Sequence, residues 1–483
     1  MDEISVRELF RNSHDVQISA MTIQREESPL HLLLVYCSGL ADVKQLNDYV
    51  LHHLQRMIET HSDIRNLNQY GPLRLQSVSS SPTADLLTAA VFEGSLVVFI
   101  TDAEEQKLCY KLDIGNAPKR NPEESSTEVA VKGARDGFTE DITTNIALIR
   151  KRLRTASLCC EMTTVGRRSQ SKVALLYVND ITDPALVEEA RKRIAAITID
   201  ALNNSNQLES ALADRPLSIF PQLDYVGRPD YVTEALMVGR MVILAEGSPN
   251  AIIAPVSLLS MLKTPEDLYL PYYFVSIERI LRFVGFFVAV FLPGFWIALT
   301  SFNMDQLPFT LLATVAMARS GLPLPSTLEV YLVVILFELF REAGVRLPKT
   351  VGQTVAVVGG LIIGEMAVAA GITAPTMIVV VSVSTIAAFT LVNQSLNGTV
   401  TLLRFFVLTL TTLLGMFGFM LSFLCMIFYM TTLRSFGRSY ITPVSPPVWN
   451  ELLPALLRKP FVKNKTRPAE LNTTDSTRQG EGQ

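Results

Sequence analysis

Glu365 is the one carboxylate in the apolar helix predicted at residues 351–370, within the stretch of residues 340–370, and its position makes it the strongest candidate for chemistry in this sequence. A charged, proline-containing turn opens this stretch, and the helix that follows it includes the closely spaced glycines Gly359, Gly360 and Gly364. A carboxylate at the centre of a membrane span costs roughly 2.5–3.5 kcal/mol, so it must face protein or water. Glu365 therefore predicts either a structural ion pair or a water-facing site in a cation pathway.

The residues around Glu365 indicate what holds this helix in place. Gly360 and Gly364 form a GxxxG pattern, which lets another helix approach closely, and we expect all three glycines to serve helix packing. If Glu365 is structural, its candidate partners are Arg319, Arg341, Arg346 and Arg404. Three further charges, Glu338, Arg341 and Glu342, are spaced three and four residues apart on one helical face, which favours a local ion pair over a ligand site.

The composition divides the chain into a soluble part and a membrane part. Apolar residues make up 49% and charged residues 18% of the chain, and the mean hydropathy is +0.30. Residues 281–433 contain only eleven of the 88 Asp, Glu, Lys and Arg residues. Residues 1–11 are polar and charged, so we expect no signal peptide and a cytoplasmic N-terminal region.

Several function classes find no support in the sequence. The net charge of −4 comes without a basic face, so we expect no nucleic-acid partner. The five cysteines lack metal-ligand spacing, and Cys159 and Cys160 are adjacent, which suits a reducing compartment. There is no nucleophile elbow, phosphate loop or zinc motif, so we expect no metal, no cofactor and no enzyme activity.

The soluble part has the pattern of a duplication. A β-rich run at residues 32–36 precedes a helical pattern, and residues 173–177 begin the same sequence of elements about 141 residues later. Residues 90–101 resemble residues 235–246 at an offset of 145. Similar offsets predict two related α/β cytoplasmic subdomains, at residues 1–130 and 131–270, although chance similarity of common elements is the alternative.

A helix is predicted between the two copies, within residues 133–155. Phe138, Ile142, Ile146 and Ile149 recur at helical spacing, and four basic residues crowd the C-terminal end. We expect a packing helix with a solvated basic end, or else a contact surface for another subunit or for lipid headgroups.

The rest of the chain predicts a polytopic α-helical transmembrane domain at residues 271–440 and a basic, partly disordered cytoplasmic tail at 441–483. Residues 281–302 and 399–430 read as clear spans, and the weaker segments between them suit the interior of a helical assembly. The basic residues after the last span place the tail in the cytoplasm. Both ends inside require an even number of crossings, and four or six remain open, since residues 309–318 read either as a tilted span or as a re-entrant piece.

Four stretches together resemble the A subunits of bacterial spore germinant receptors. They are residues 137–153 (GFTEDITTNIALIRKRL), 228–258 (RPDYVTEALMVGRMVILAEGSPNAIIAPVSL), 325–353 (PSTLEVYLVVILFELFREAGVRLPKTVGQ) and 355–387 (VAVVGGLIIGEMAVAAGITAPTMIVVVSVSTIA). The likeness covers residues 133–440 well, whereas the first 120 residues and the tail are less distinctive.

This resemblance implies a nutrient-sensing receptor subunit in the spore inner membrane that triggers germination. Such A subunits act with a transporter-like B subunit, which holds the nutrient, and with a lipoprotein C subunit, and they oligomerise into a nutrient-gated cation channel. On that picture the glycine-rich helix is the candidate pore helix, where Leu361 or Ile362 closes the pore by dewetting beside Val358, and Glu365 favours cations.

Two other roles remain open from the sequence. A transporter component would show inverted repeats in the membrane half, and the sequence contains no such repeat. A non-conducting membrane scaffold of the receptor complex would tolerate every substitution in the pore helix that preserves folding.

Overall fold

The computed structural model describes residues 3–24, 29–60, 67, 72–78, 82–101, 107–116, 132–346 and 364–478. Its first domain is a five-stranded antiparallel sheet with helices on its faces. The strands are β1 Val16–Ile23, β2 Leu30–Cys37, β3 Gln76–Val78, β4 Ser95–Thr101 and β5 Lys107–Asp113. The helices are α1 Glu3–Leu9, α2 Val43–Gln45 (continued by a π-helical turn, Leu46–Val50), α3 Leu51–Thr60 and α4 Ala84–Phe92.

The second domain repeats this design. Its strands are β6 Leu158–Val165, β7 Ser171–Val178, β8 Asp224–Val226, β9 Met241–Ala245 and β10 Ala251–Ala254. Its helices are α5 Ile142–Arg150, α6 Pro184–Ala195, α7 Ser205–Leu212, α8 Pro229–Val238 and α9 Leu258–Met261. Separate apolar clusters cover the two faces of each sheet, which is why β2 and β7 are nearly continuous apolar runs rather than alternating ones.

The two sheets share one strand order. In each, the first strand pairs with the second, the second with the fourth, the fourth with the fifth and the fifth with the third. The matched runs at residues 32–36 and 173–177 lie in the equivalent strands β2 and β7. Gly94 and Gly239 end equivalent helices with φ angles of +93° and +102°, conformations that favour glycine. The paired sequence offsets therefore correspond to equivalent positions in one repeated topology.

A buried ion pair joins the two domains. Arg150, at the end of α5, donates to both carboxylate oxygens of Asp15 at 2.7 and 2.9 Å, and its guanidinium lies 4.3 Å from the ring centre of Phe92. The expectation of a solvated basic end for this helix was therefore wrong at Arg150, which has no exposed surface. The helix spans only nine residues, and seven of them are buried because both domains cover it.

The last part of the described chain is helical. Its helices are α10 Tyr272–Ile297 (extended by a π-helical turn, Ala298–Phe302), α11 Phe309–Arg319, α12 Ser326–Arg346, α13 Gly364–Ala369, α14 Pro375–Phe389 and α15 Gln394–Thr432. Two 3₁₀ turns, Pro265–Leu268 and Met304–Gln306, flank α10. Among the described residues, two helices, Tyr272–Phe302 and Ser395–Thr432, are long and apolar enough to cross a membrane.

Helix α15 is not one straight span, as the sequence pattern suggested, but a hairpin of two arms, residues 394–414 and 416–432. Gly415 breaks the helix with φ +62° and ψ −140°. A side chain on Gly418 would overlap the carbonyl oxygen of Leu410, although in a straight helix these residues are about 12 Å apart along the axis. The two arms therefore run antiparallel and in close contact.

Contacts with the second domain define the two ends of the helical part. At the end that we call proximal, Asn393 donates to Asp224, and Arg215 donates to Thr432. At the opposite, distal end, the tip of the α15 hairpin at Gly415 packs against Phe302. Helix α10 and the first arm of α15 thus run from the proximal end to the distal end, and the second arm of α15 runs from the distal end back to the proximal end.

Helices α12 and α14 run in the opposite direction to α10. Residues from the distal half of α10, the first half of α12 and the start of α14 share one buried apolar cluster, which includes Ile297, Val330 and Met377. Farther along, Glu338 of α12 contacts Thr401 and Arg404 in the first arm of α15. Helix α12 therefore begins at the distal end and carries Arg341 toward the proximal end.

The described part of the tail, residues 441–478, packs against the second domain, and the expected partial disorder of the tail stays a prediction. After a short hairpin of β11 Arg434–Ser435 and β12 Arg438–Ser439 comes α16, Trp449–Leu456, followed by 3₁₀ turns at Phe461–Lys463 and Ala469–Leu471. The Thr474 amide donates to the Ile181 carbonyl oxygen at 2.9 Å, and Arg478 pairs with Glu234. Specific polar contacts thus bind the described tail to this domain.

Candidate functional site

Glu365 lies on the exposed surface of the single chain, in the first turn of α13. No described residue forms an ion pair or hydrogen bond with it, and the space beside Gly364 is open. Arg341 and Arg404, two of its expected partners, both pair with Glu338 instead. The other candidates in this helix, Val358, Gly359, Gly360, Leu361 and Ile362, lie outside the described residues.

Glu338 is the centre of a charged cluster between α12 and α15. Arg341 donates to one of its oxygens at 2.7 Å, the local pair that the spacing favours, and Arg404 approaches the other at 3.4 Å. The Thr401 hydroxyl also donates to Glu338, at 3.1 Å. Glu342 is exposed, one residue beyond Arg341. Glu338 therefore shares its charge between two arginines on different helices.

Arg404 connects this cluster to two further helices. Its Nε donates to the carbonyl oxygen of Ala289 in α10 at 2.9 Å, and the Ser384 hydroxyl of α14 donates to the same oxygen, also at 2.9 Å. Only 1% of Arg404 is exposed. Because a buried guanidinium needs both a counter-charge and hydrogen-bond acceptors, Arg404 fixes four helices relative to one another.

Glu329 is a second buried carboxylate, which lies in the apolar helix α12 and is not among the site residues predicted from the sequence. It has no exposed surface, and its Oε1 accepts hydrogen bonds from Thr373 Oγ1 at 2.7 Å and from the Ala374 amide at 2.6 Å. Its spacing from Ser326 matches a capping box for its own helix, but the carboxylate instead lies at the start of α14. The cost of a carboxylate in an apolar helix was the signal that would have singled it out.

Ion pairs attach the proximal end of α10 to the second domain. Asp267 accepts from Arg279 at 2.8 Å and from Arg282 at 2.7 Å, and Arg282 also donates to the carbonyl oxygen of Leu262. Burial opposes the charge on Asp267, but hydrogen bonds and the positive charges of these two arginines lower its pKa. Arg458 of the tail donates to the carbonyl oxygens of Asp267 and Leu270 at the same junction.

A titratable contact attaches the hairpin to the same domain. Asn393, which caps the first arm of α15, donates to Asp224 of β8 at 2.6 Å. Burial raises the pKa of Asp224 to about 6, although Asn393 and the charge of Arg240 oppose the rise. A cleft of about 530 Å³, lined in part by Glu209 and Tyr225, opens beside this contact. The junction therefore contains both fixed ion pairs and a carboxyl group that titrates near neutrality.

The arrangement links the second domain mechanically to the helices. Within the described ranges, no group of three or more His, Cys, Asp or Glu side chains is placed to hold a metal ion. Ion pairs and hydrogen bonds connect the second domain to α10 and to both arms of α15, and buried charges connect these helices to α12 and α14. A shift of the domain would therefore be transmitted to the helical part.

The sequence of this chain is similar to those of several known proteins. The model of the Bacillus/Clostridium GerA spore germination protein family matches residues 5–470. Spore germination protein XA of Bacillus anthracis is 39% identical over 99% of this chain and 97% of that protein. The uncharacterized membrane protein YfkQ of Bacillus subtilis (strain 168) is 34% identical over 90% of this chain and 84% of its own length. Spore germination protein KA of the same organism is 31% identical over 98% and 86%.

A solved structure is also similar to the first part of the chain. It is the N-terminal domain of the A subunit of the Bacillus megaterium spore germinant receptor GerK3, 24% identical, covering 52% of this chain and 92% of that chain with a TM-score of 0.38. The family model spans nearly the whole sequence, and the relatives align over almost their full length. The chain therefore belongs to the Bacillus/Clostridium GerA spore germination protein family.

Proposed function

We propose that this chain is the A subunit of a nutrient germinant receptor, a multi-pass protein of the spore inner membrane with its N-terminal domains and tail in the cytoplasm. The helical part exposes many large apolar side chains, such as Phe309, Leu413, Phe417 and Phe428, each at least 68% exposed. Soluble monomers rarely expose contiguous apolar patches of this kind, so lipid and neighbouring subunits are the natural cover.

Six membrane crossings fit the helix directions best. Helix α10, α12, α14 and the two arms of α15 supply five, and a sixth is required to join Arg341, near the proximal end, to Thr373 at the distal end. Helix α11 does not cross, because the helices before and after it meet at the distal end. The basic residues support a cytoplasmic proximal end, since Arg319 is the only Lys or Arg between residues 283 and 340 and none occurs between 350 and 403.

The single observation that carries the channel proposal is the exposed, unpaired carboxylate of Glu365. A charge within a membrane-spanning helical assembly requires water or protein beside it, and no described residue of the same chain supplies a partner to Glu365. Several copies of the chain, arranged around an axis, would place a ring of these carboxylates along a water-filled path. Such a ring favours cations over anions.

The remaining parts of the proposal follow from the family and from the sequence spacing. Glycines 359, 360 and 364 permit close approach of neighbouring helices, while Val358, Leu361 and Ile362 supply the apolar constriction. A nutrient bound by the B subunit would act through the cytoplasmic domains and the proximal ion pairs, and a lipoprotein C subunit would complete the receptor. Gating then requires that the domain junction and the pore helix move together.

Conductance of the assembled receptor tests this function. The chain is reconstituted into liposomes with its B and C partners, nutrients are added, and K⁺ efflux is compared among the wild type, Ile362→Ala and Glu365→Gln. We expect nutrient-dependent efflux in the wild type, efflux without nutrient in Ile362→Ala, and weaker preference for K⁺ over Cl⁻ in Glu365→Gln. Glu342→Gln makes the same chemical change outside the proposed pore and serves as the matched control.

A silent result would count against the channel. If an assembled complex that binds nutrient passes no ions, either as wild type or as Ile362→Ala, the chain is better described as a non-conducting scaffold. Uptake of the nutrient itself into the liposomes would instead identify a transporter component.

A further inference from the structure

Several buried oxygen atoms in the distal half of the helical part have no hydrogen-bond partner among the described residues. They are Ser301 Oγ, Glu329 Oε2, Thr411 Oγ1 and Thr412 Oγ1. More than about 90% of buried polar groups in folded proteins are hydrogen-bonded, and an unpaired carboxylate oxygen is the most costly of these four. Because these atoms lie together at one level of the structure, we expect another group to supply their missing polar contacts.

Three of these side chains occupy matching positions on three neighbouring helical segments. Ile297, Val333 and Leu408 belong to one buried apolar cluster. Four residues closer to the distal end on the same segments, Ser301 follows Ile297, Glu329 precedes Val333 and Thr412 follows Leu408. Residues four apart lie on the same helix face, so the three oxygens line the layer directly beyond the apolar cluster.

The local environment suits a negatively charged Glu329. Its Oε1 already accepts hydrogen bonds from Thr373 Oγ1 and from the Ala374 amide, at the N-terminus of α14, where the helix dipole favours an anion. Tyr331 is not available to the free oxygen, because its hydroxyl group bonds to Thr409. The second oxygen of Glu329, Oε2, therefore carries negative charge but accepts no hydrogen bond from the described residues.

A cavity of about 340 Å³ reaches this layer from the distal end. Its lining includes Ser301 and the residues at the start of α12, Ser326 and Thr327, which precede Glu329 by one turn. Arg319 lines the same cavity, and its positive charge opposes the entry of another cation. We therefore expect a site with access from the distal face and with weak affinity.

We propose that Glu329, Ser301 and Thr412 bind one monovalent alkali cation, K⁺ or Na⁺. Hard oxygen ligands suit such ions, and a single carboxylate balances a single positive charge, whereas a divalent ion would leave a buried net charge. The functional meaning of this site rests on the proposed cation-channel function. Occupancy would stabilise the contact of α12 with α10, α14 and α15.

Thermal unfolding of the purified receptor complex tests the site without any need for conduction. Tm is measured as KCl or NaCl replaces N-methyl-D-glucamine chloride at constant ionic strength. We expect a saturable rise of Tm in the wild type and no cation-dependent rise in Glu329→Gln, whose remaining oxygen still accepts from Thr373 and Ala374. Thr412→Val keeps the shape and removes one ligand, and should weaken the apparent affinity about tenfold.

Thr373→Val is the control for stability alone, because it removes a hydrogen bond to Glu329 but none of the three proposed ligand oxygens. It should lower Tm and retain the response to K⁺ or Na⁺. An equal cation response in the wild type and Glu329→Gln would overturn the proposal. So would a wild-type Tm that depends on pH but not on the cation, which would assign a proton or a buried water to Glu329. If the receptor binds the cation but conducts no ions, the result supports this binding site and contradicts the channel proposal.

Discussion

Thr399 and Tyr429 meet at a single residue of the second domain, Ile219. The Thr399 hydroxyl donates to the Ile219 carbonyl oxygen at 2.7 Å, and the Ile219 amide donates to the Tyr429 hydroxyl oxygen at 3.0 Å. A straight helix would hold these two residues about 45 Å apart. The reversal at Gly415 is therefore what returns the chain to the second domain, and it sets the proposed number of crossings.

Chemical labelling tests this reversal. In the folded-back arrangement Leu414, which is 48% exposed, lies at the distal tip, whereas a single tilted span of residues 399–430 would place it near mid-membrane. We expect Leu414→Cys to react with a membrane-impermeant maleimide from outside intact cells that express the receptor.

Two further positions calibrate the labelling. Met304→Cys lies in the distal turn after α10 and should react from outside, whereas Val444→Cys lies in the tail and should react only after permeabilisation; both native residues are at least 46% exposed. A Leu414→Cys variant that stays unlabelled until the membrane is dissolved would support the single span instead.

The sequence predicted the α/β part well because its signals are local. Runs of apolar residues and the offsets of 141 and 145 residues both report on short segments, and the structure places these segments in two sheets of equal strand order. The hairpin of α15 was missed because residues 399–430 resemble one long apolar segment, in which Arg404 is the only charged residue. Hydropathy measures burial in lipid and not chain direction, and one glycine among several gives no warning of a turn.

The charged residues likewise make local contacts, which the sequence predicts, and long-range contacts, which it does not. The pair of Glu338 and Arg341 is readable from a spacing of three residues, but the contact of Glu338 with Arg404 joins positions 66 residues apart. The partners of Glu329, the Thr373 hydroxyl and the Ala374 amide, lie 44 and 45 residues away and are likewise not readable from local spacing. Long-range partners depend on helix packing, which a single sequence does not specify.

The contact of Glu338 with Arg404 predicts strong non-additivity. Glu338→Gln leaves the almost fully buried guanidinium of Arg404 without its counter-charge, and we expect a loss of roughly 3–5 kcal/mol in the free energy of unfolding. Arg404→Gln removes the positive charge itself, so the double variant should be more stable than the sum of the two single effects implies. Denaturation of the purified complex is measured for the wild type, the two single variants and the double variant, which together form a double-mutant cycle. Additive effects would show that the two charges do not interact.

Asp224 makes the junction of domain and hairpin sensitive to pH. Its pKa in the folded protein is raised from 3.8 to about 6, so the folded state binds the proton more tightly, and this contribution to stability is lost as pH rises from about 4 through 6. Asp224→Asn resembles the protonated form and can still accept from Asn393. We expect it to exceed the wild type in stability by about 3 kcal/mol at pH 7.5, and by about half as much at pH 5.

Thermal melts of both proteins across this pH range check the prediction. Other groups titrate equally in the two proteins, so only the difference between them is informative. A constant difference from pH 4.5 to 7.5 would mean that Asp224 has an ordinary pKa in the folded protein.

The buried pair of Asp15 and Arg150 should control access to a cysteine at the domain interface. The Cys37 thiol lies 3.6 Å from Asp15 Oδ2, and burial together with the charge of Asp15 raises its pKa to about 12. The thiolate that reacts with maleimides is therefore scarce at pH 8, and the intact interface should keep Cys37 unlabelled. Arg150→Met leaves Asp15 buried without a partner, which costs roughly 3–5 kcal/mol, so the domains should separate more often and Cys37 should react faster.

Cys109 distinguishes separation of the domains from unfolding of the first domain. It is buried in the first sheet, and burial raises its pKa to about 11, but it makes no contact with Arg150. Mass spectrometry after timed labelling should show faster modification of Cys37 in Arg150→Met while Cys109 stays as slow as in the wild type. Equal acceleration at both thiols would mean that the variant unfolds the whole domain, and the ion pair would then have no separate role in holding the two domains together.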